Sequence, residues 1–440
     1  MQPKWIVRWI IVLFLLAALP AMTVVMAQGQ EPAKQLALES EQVEVQTSFL
    51  EPAVNCNLNE SELNNTRSTA DVFGFGDVIC GYPEYDDESE TCGPDWFRFN
   101  MPRGGYVMIT VLNSGTDGYT GFELSDGTGH SIEDVNPYGV HIMFHSLTAG
   151  DYFVHAYNYL GEDCDSYKLI LESPLLISAA AANLGTGSVA GIPFRSEDIL
   201  SYSHLNNGEE RWAMFFDGSD VGVKTLTNIA KDSGNRILIT TGGNQTLPGV
   251  GAVTPWDIAI FDATQYGSNT EGTFRMGLDG SEHQLTTSGE KLDGIDGWTN
   301  GYDRCYGYPV STAGVATITG WLGTMKQDDE DVFCKGYNGA WQPYDWFFDV
   351  NGKFDAPASE PAPGNVTGLA GEDVFALAYN NNTNEMYLTI LGNGKIAGHK
   401  VTQKDIFAIN YPGYTWGGVV WHGPDHGWNY NIDAIELNGW

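Results

Sequence analysis

Short apolar runs, each closed by a polar turn containing Gly, follow one another through the second half of the chain, and the same four kinds of run recur. One kind reads RWAMFFDGSDVG from Arg211, TFRMGLDGSEHQ from Thr273, DWFFDVNGKF from Asp345 and WGGVVWHGPDHGW from Trp416. About 20 residues ahead of each stands a second: EDILSY from Glu197, WDIAIF from Trp256, EDVFCK from Glu330 and KDIFAI from Lys404. Asp198, Asp257, Asp331 and Asp405 therefore mark one repeated position. A third kind follows each turn, LTNIAK from Leu226, LDGIDGW from Leu292, EDVFALAY from Glu372 and IDAIEL from Ile432. The fourth is RILIT from Arg236, VATIT from Val315 and EMYLT from Glu385. Runs of this length and punctuation predict strands, and their recurrence predicts a repeat of four-stranded units.

The chain stops at Trp440, before the last unit can supply its fourth kind of run, and PLLIS, Pro174 through Ser178, reads like the missing piece. A repeat completed by a strand from its own beginning closes a ring and leaves no free sheet edge. Residues 174–440 are thus expected to form a four-bladed β-propeller closed by an N-terminal strand. It resembles other four-bladed propellers, such as hemopexin-type domains, in architecture only.

Ahead of the repeat, DWFRF from Asp95, YVMITVL from Tyr106, FELSDGTG from Phe122, LTAGDYFVHAY from Leu147 and SYKLILE from Ser166 alternate as half-buried antiparallel strands do. They predict a jelly-roll-like β-sandwich over 56–172, so the fold class is all-β. Lys4 and Arg8 before an apolar run that reaches Leu19, with Val25-Met26-Ala27 as a cleavage pattern, predict a signal peptide over 1–27. An uncleaved membrane anchor is the alternative. Residues 28–55 read as a flexible spacer.

Composition sharpens the picture. Lys and Arg number 21 against 56 Asp and Glu, a net charge of −35; without Lys4 and Arg8 the balance is 19 against 56, or −37. Such a surface excludes nucleic acid and anionic membrane as partners, with membrane attachment only if the signal segment is uncleaved, and it favours cations. Six cysteines, an even number in a chain read as secreted or cell-surface, predict disulfides. Cys305 and Cys334 are the one pair within the repeat. Cys56, Cys80, Cys92 and Cys164 allow three pairings, of which Cys80 with Cys92 and Cys56 with Cys164 is favoured.

The strand set of 56–172 resembles the bacterial pre-peptidase C-terminal domain: an Asp opens the aromatic strand, a Gly-Asp turn precedes a Tyr strand, and a Tyr-x-Leu strand ends the module. The opening ESELNN matches the family's acidic lead-in. The resemblance implies a Ca²⁺ site formed by Glu60, Glu62, Asn64, Asn65 and Asp95, and hard oxygen ligands of this kind suit calcium. Asn65 stands where the family often has Asp, which lowers the charge of the site.

Nucleophile elbow, zinc-protease, phosphate-loop and EF-hand signatures are absent from the sequence. WHGPDHGW brings His422, Asp425 and His426 together in a turn, where solvated imidazoles are the plainer reading than a transition-metal site. Asp198 and its repeats are expected to cap turns. Trp298, Trp321, Trp341 and Trp428 lie near Gly-rich ends where an aromatic face can be exposed. The longest aromatic departure from the repeat, 297–313, predicts a recognition loop in which Trp298, Tyr302 and Tyr306 contact a ligand. The function expected is non-catalytic binding or adhesion to an extracellular glycan or protein. The alternative is a polysaccharide hydrolase or lyase using acids such as Asp293 and Asp296.

Overall fold

The computed structural model describes residues 54–280 except 62–63, 83–84, 87–90, 114–119, 138, 159–164, 180–185 and 232–234. It further describes backbone strands between 294 and 348, residue 368, and residues 374–437 except 381–382, 384 and 411–414. All of these lie in one compact unit, Phe49–Trp440. Regular structure among the described residues is β throughout, apart from a 3-10 turn at Gly423–His426. The expected signal peptide, and all of the expected spacer but Val54 and Asn55, lie outside the described residues.

Two five-stranded sheets come first. One runs in the order Leu58–Asn59, Val78–Gly81, Tyr167–Glu172, Gly105–Asn113, Val140–Leu147; the other Asp71–Val72, Asp95–Met101, Gly150–Asn158, Thr120–Asp126, Ser131–Val135. Alternation turns Phe97, Phe99, Phe122, Leu124 and Val154 of the second sheet onto Val107, Ile109, Val111, Leu169 and Leu171 of the first, and these form one core. YVMITVL departs from the expected half-buried pattern. Its strand is buried on both faces, because Tyr106 and Met108 point away from that core into a second one.

Four four-stranded antiparallel sheets follow, and each contains one strand of every repeated kind except in the third sheet. Their orders are Ile432–Leu437, Leu175–Ala179, Ile199–His204, Glu210–Phe216; then Asn228–Lys231, Arg236–Thr240, Ile258–Gln265, Glu271–Leu278. The third is Gly294–Gly297, Asp303–Gly307, Val332–Gly336, Trp346–Phe348, and the fourth Val374–Asn380, Glu385–Ile390, Asp405–Asn410, Thr415–His422. Leu175–Ala179 pairs antiparallel with Ile432–Leu437, Leu175 opposite Leu437 and Ile177 opposite Ile435, so the last sheet strand is partnered by the first. The leading strands of the four sheets are neighbours in a cycle: Asn228–Lys231 beside Gly294–Gly297, then Val374–Asn380, then Ile432–Leu437, which returns to Asn228–Lys231.

VATIT is misassigned by the repeat reading. Ala316–Ile318 instead pairs with Met325–Gln327 in a separate hairpin, and Asp303–Gly307 supplies the second strand of the third sheet. Equivalent hairpins join second to third strand in all four sheets, as in Gly187–Val189 with Ile192–Phe194 and Asn393–Ile396 with His399–Thr402. In these two the two-residue turns are Ala-Gly: Ala190 and Gly191 at φ +49° and +84°, Ala397 and Gly398 at +49° and +86°. Both central residues at positive φ match the twist of the flanking strands.

The sheet pair and the repeat share a core. Phe144 packs edge-on against Phe215 and Tyr266, and Ile142, Met108 and Tyr106 join the same cluster. At its margin Arg211 Nη1 donates to Glu172 Oε2 at 2.7 Å, and Thr110 Oγ1 donates to the same oxygen at 3.1 Å. Both ionic side chains are almost completely buried. Removing one partner of such a pair strands a charge in a medium that cannot solvate it. Arg211→Met is therefore expected to cost ~3–5 kcal/mol in urea denaturation. The double change Arg211→Met with Glu172→Met should recover most of that loss.

Candidate metal centre

The acidic opening is anchored from both sheets. Leu58–Asn59 pairs parallel with Val78–Gly81, and Glu60 N donates to the Cys80 carbonyl at 3.3 Å. The chain then turns: Asn64 N donates to Ser61 O at 3.1 Å, and Trp96 N to Asn64 O at 3.0 Å, which fixes the turn against the start of Asp95–Met101. Asn64 and Asp95 are buried there.

Tyr167 links the carboxylates. Its hydroxyl lies 2.7 Å from Asp95 Oδ2 and 3.0 Å from Glu60 Oε2, and one proton serves only one of them. Burial and these two carboxylates push the phenol well above its ordinary range. Gly81 makes the placement possible, since a Cβ there would stand 2.2 Å from the Tyr167 ring. From the neighbouring strand Asp71 accepts from Ser61 N at 2.7 Å and from Ser61 Oγ at 2.8 Å.

The Asn64 amide lies between Asp71 and Asp95. Its Nδ2 donates to Asp71 Oδ2 at 3.3 Å, while its Oδ1 faces Asp95 Oδ1 and the Ser61 carbonyl oxygen at 3.2 Å each, oxygen against oxygen. Exchanging the two ends of the amide turns those contacts into donations to Asp95 Oδ1 and the Ser61 carbonyl at 3.2 Å each, so the amide is satisfied in that orientation. What suits a hard cation here is the donor set: Glu60 and Asp95 bring two carboxylates to one Tyr167 hydroxyl, beside the Ser61 carbonyl and the Asn64 amide, and carboxylate, amide and carbonyl oxygens are what calcium takes. Among the described residues no three His, Cys, Asp or Glu side chains group as a metal site. Of the other expected ligands, Asn65 is exposed and Glu62 lies outside the described residues. Ser61, Asp71 and Tyr167 were not anticipated.

The remaining expectations divide. The pairing of Cys80 with Cys92 and Cys56 with Cys164 is corrected: Cys56 is bonded to Cys80, which the parallel pairing of their strands brings together. Cys92 is itself disulfide-bonded, and Cys164 lies outside the described residues. Cys305 stands opposite Cys334 on adjacent strands. Tyr306 is not on a loop: Asp303–Gly307 is an interior strand, with Tyr306 opposite Ile295 and Phe333. Trp298, Tyr302 and Asp293 lie outside the described residues, and Asp296 is placed as backbone within Gly294–Gly297. Trp428, expected near an exposed end, is fully buried, stacked between Phe194 and Trp212.

The repeated acids cap turns. Asp198 accepts from Arg195 N at 2.7 Å and Gly218 N at 3.1 Å, Asp257 from Thr254 N at 2.7 Å and Gly280 N at 2.8 Å, and Asp405 from Thr402 N at 2.7 Å. Asp331 lies outside the described residues. The two histidines of WHGPDHGW do not converge. His422 Nδ1 meets Asp405, whereas His426 Nδ1 lies 2.8 Å from Glu210 and 2.9 Å from Tyr202 OH, so the two imidazoles of WHGPDHGW have separate partners.

Glu133 has two. It sits on the edge strand of one sheet and meets His141, at 3.0 Å, and His145 on the edge strand of the other, tying the sheets together. Burial pushes its carboxyl up, but hydrogen bonds from His141 and His145 and their charge outweigh this and hold it at about 2 instead of 4.5. The folded state thus binds the proton less readily than the unfolded chain. Its stabilisation is complete above about pH 4.5 and lost as pH falls toward 2. Unfolding at stepped pH should show a loss on the order of 3 kcal/mol across that window, absent from Glu133→Gln.

No protein-family model matches the chain, and no curated protein matches it. Among solved structures it is similar to the pre-peptidase C-terminal domain of a collagenase from Bacillus anthracis, at 18% sequence identity and a TM-score of 0.20, over 23% of this chain and 94% of that one.

Proposed function

We propose that this is an exported binding protein in which a calcium-stabilised β-sandwich supports a four-bladed β-propeller, and that it acts by holding an extracellular glycan or protein. The convergence of the Glu60 and Asp95 carboxylates on the single Tyr167 hydroxyl carries the calcium part of this reading. Glu60, Asn64 and Asp95 with the Ser61 carbonyl would hold the ion, whose charge offsets the converging carboxylates. Export is supported by the Cys56–Cys80 bond, since structural disulfides persist in oxidising surroundings. The ring is supported by the pairing of Leu175–Ala179 with Ile432–Leu437 and by the cycle of leading strands.

Calcium is tested by melting the chelator-treated full chain with and without Ca²⁺. Saturation at a hundredfold over Kd stabilises by ~2.7 kcal/mol, a rise of roughly 5 °C in Tm. Asp95→Asn should remove the rise, and elemental analysis should find calcium in the untreated protein. No retained calcium together with an unchanged Tm would end this reading.

Closure is tested by replacing Leu175–Ala179 with Gly and Ser. That uncovers Ile199–His204 and Ile432–Leu437, and the expected outcome is aggregation. A monomer with unchanged Tm would refute the ring. A glycan and matrix-protein array probed with the full chain tests binding itself, and turnover of an arrayed polysaccharide would replace it by enzymatic action.

A further inference from the structure

The outer face of the second sheet carries an aromatic row that the core does not use. Because Phe97, Tyr152, Val154 and Phe122 point inward, their neighbours Trp96, Arg98, Phe153, His155, Tyr157 and Glu123 point outward, with Phe153 buried beneath Arg67, Arg98 exposed opposite it, and the others half-buried. The register sets His155 directly between Trp96 and Glu123, and Tyr157 opposite Gly121. Trp96 and His155 stack at 4.1 Å and 10°, and Tyr157 lies 5.2 Å further along. The Tyr157 ring lies over Gly121, where a Cβ would come within 2.5 Å of it, and its hydroxyl donates to Asp134 Oδ1 at 2.5 Å.

One end of the row already seats a cation. The Arg67 guanidinium sits 4.1 Å from the centre of the Phe153 ring, and its Nη2 donates to the Asp126 carbonyl. Rings of this kind attract a guanidinium through their negative faces. At the other end two carboxylates, Glu123 and Asp134, flank His155 and Tyr157, Asp134 being exposed and Glu123 half-buried. Burial lowers the His155 pKa against the opposing pull of Glu123, so the imidazole is a neutral ring at physiological pH and does not repel a cation.

We propose that this face docks an extended, arginine-bearing segment of a partner protein, one guanidinium lying on the Trp96–His155–Tyr157 end between Glu123 and Asp134 as the chain's own Arg67 lies on Phe153. Charge complementarity selects this occupant, since a chain of net charge −35 favours a basic partner and the face adds aromatic seats for planar cations. The proposal rests on the binding reading and narrows it to a basic protein.

The test is fluorescence anisotropy of the full chain with a labelled octapeptide of alternating Arg and Gly, and with the same peptide carrying citrulline for arginine. Citrulline keeps the shape and removes the charge. The expected result is binding of the arginine peptide only, weakened about tenfold or more by Glu123→Gln with Asp134→Asn. Glu271→Gln with Asp425→Asn, which removes two exposed acids elsewhere, should leave it unchanged. Equal weakening by both pairs would show mere attraction to an acidic chain and overturn the proposal. So would equal binding of the citrulline peptide, or a neutral glycan competing for the same face. If the array finds a ligand whose binding survives Glu123→Gln with Asp134→Asn, the binding reading stands and this inference fails. If the array finds none, the broader reading fails by itself.

Discussion

The antiparallel pairing of Leu175–Ala179 with Ile432–Leu437 is the constraint on which the second half of the molecule depends. Strands so distant in sequence close a large loop, so the pair forms only when the intervening sheets have already brought the ends together. Once formed, it leaves the first sheet with its leading strand from the end of the chain and the other three strands from the beginning. It also fixes the N-terminal sheets. Only Ser173 and Pro174 separate Glu172, the last residue of one sheet, from Leu175, the first of the next. The buried bond from Arg211 to Glu172 then crosses that junction from the other side. Neither half can shift without opening a shared core that contains Phe144, Phe215 and Tyr266.

The repeat was legible because every sheet needs the same side chains in the same places. An Asp before the third strand must accept backbone N–H groups whichever sheet it belongs to, and a strand between two sheets must be apolar on both faces. The reading failed where that need is relaxed. VATIT looks like RILIT as a string, yet a hairpin strand and a sheet strand obey the same apolar pattern, and only spacing to the next strand separates them. The Ala-Gly turns at Ala190 and Ala397 were the missed signal, since an Ala held at positive φ announces a two-residue hairpin less loudly than Asn-Gly does. YVMITVL misled for a related reason: its continuous apolar character recorded a second burial partner that no local pattern names.

At the candidate metal centre the residues close together in the chain are legible from the sequence, and those brought in by the fold are not. Glu60, Asn64 and Asp95 could be named from the ESELNN opening and the Asp of the aromatic strand. Tyr167 and Asp71 could not, because their roles depend on a strand pairing and on the absence of a side chain at Gly81. The disulfide error has the same origin. Cys80 and Cys92 are near in sequence, but the parallel partner of the Cys80 strand carries the chain from Cys56, and strand pairing outranks sequence proximity.

The scarcity of basic residues acquires meaning from where they are used. Arg211 neutralises buried Glu172, Lys231 pairs with buried Glu436 at 2.7 Å and lies over the Tyr106 ring, Lys168 bonds the Val54 carbonyl, and Arg67 covers Phe153. In each case the cation holds one segment to another across a junction of the fold. Acids inside the structure also have internal donors, as Asp198, Asp257 and Glu133 show. With several of its few cations committed to internal joints, the chain, with 56 acidic and 21 basic side chains, carries a large negative excess. A surface of that kind raises the local concentration of positive charge, whether ion or side chain. What distinguishes one place on it from another is then geometry: carboxylates converging on Tyr167, or rings aligned beside Glu123.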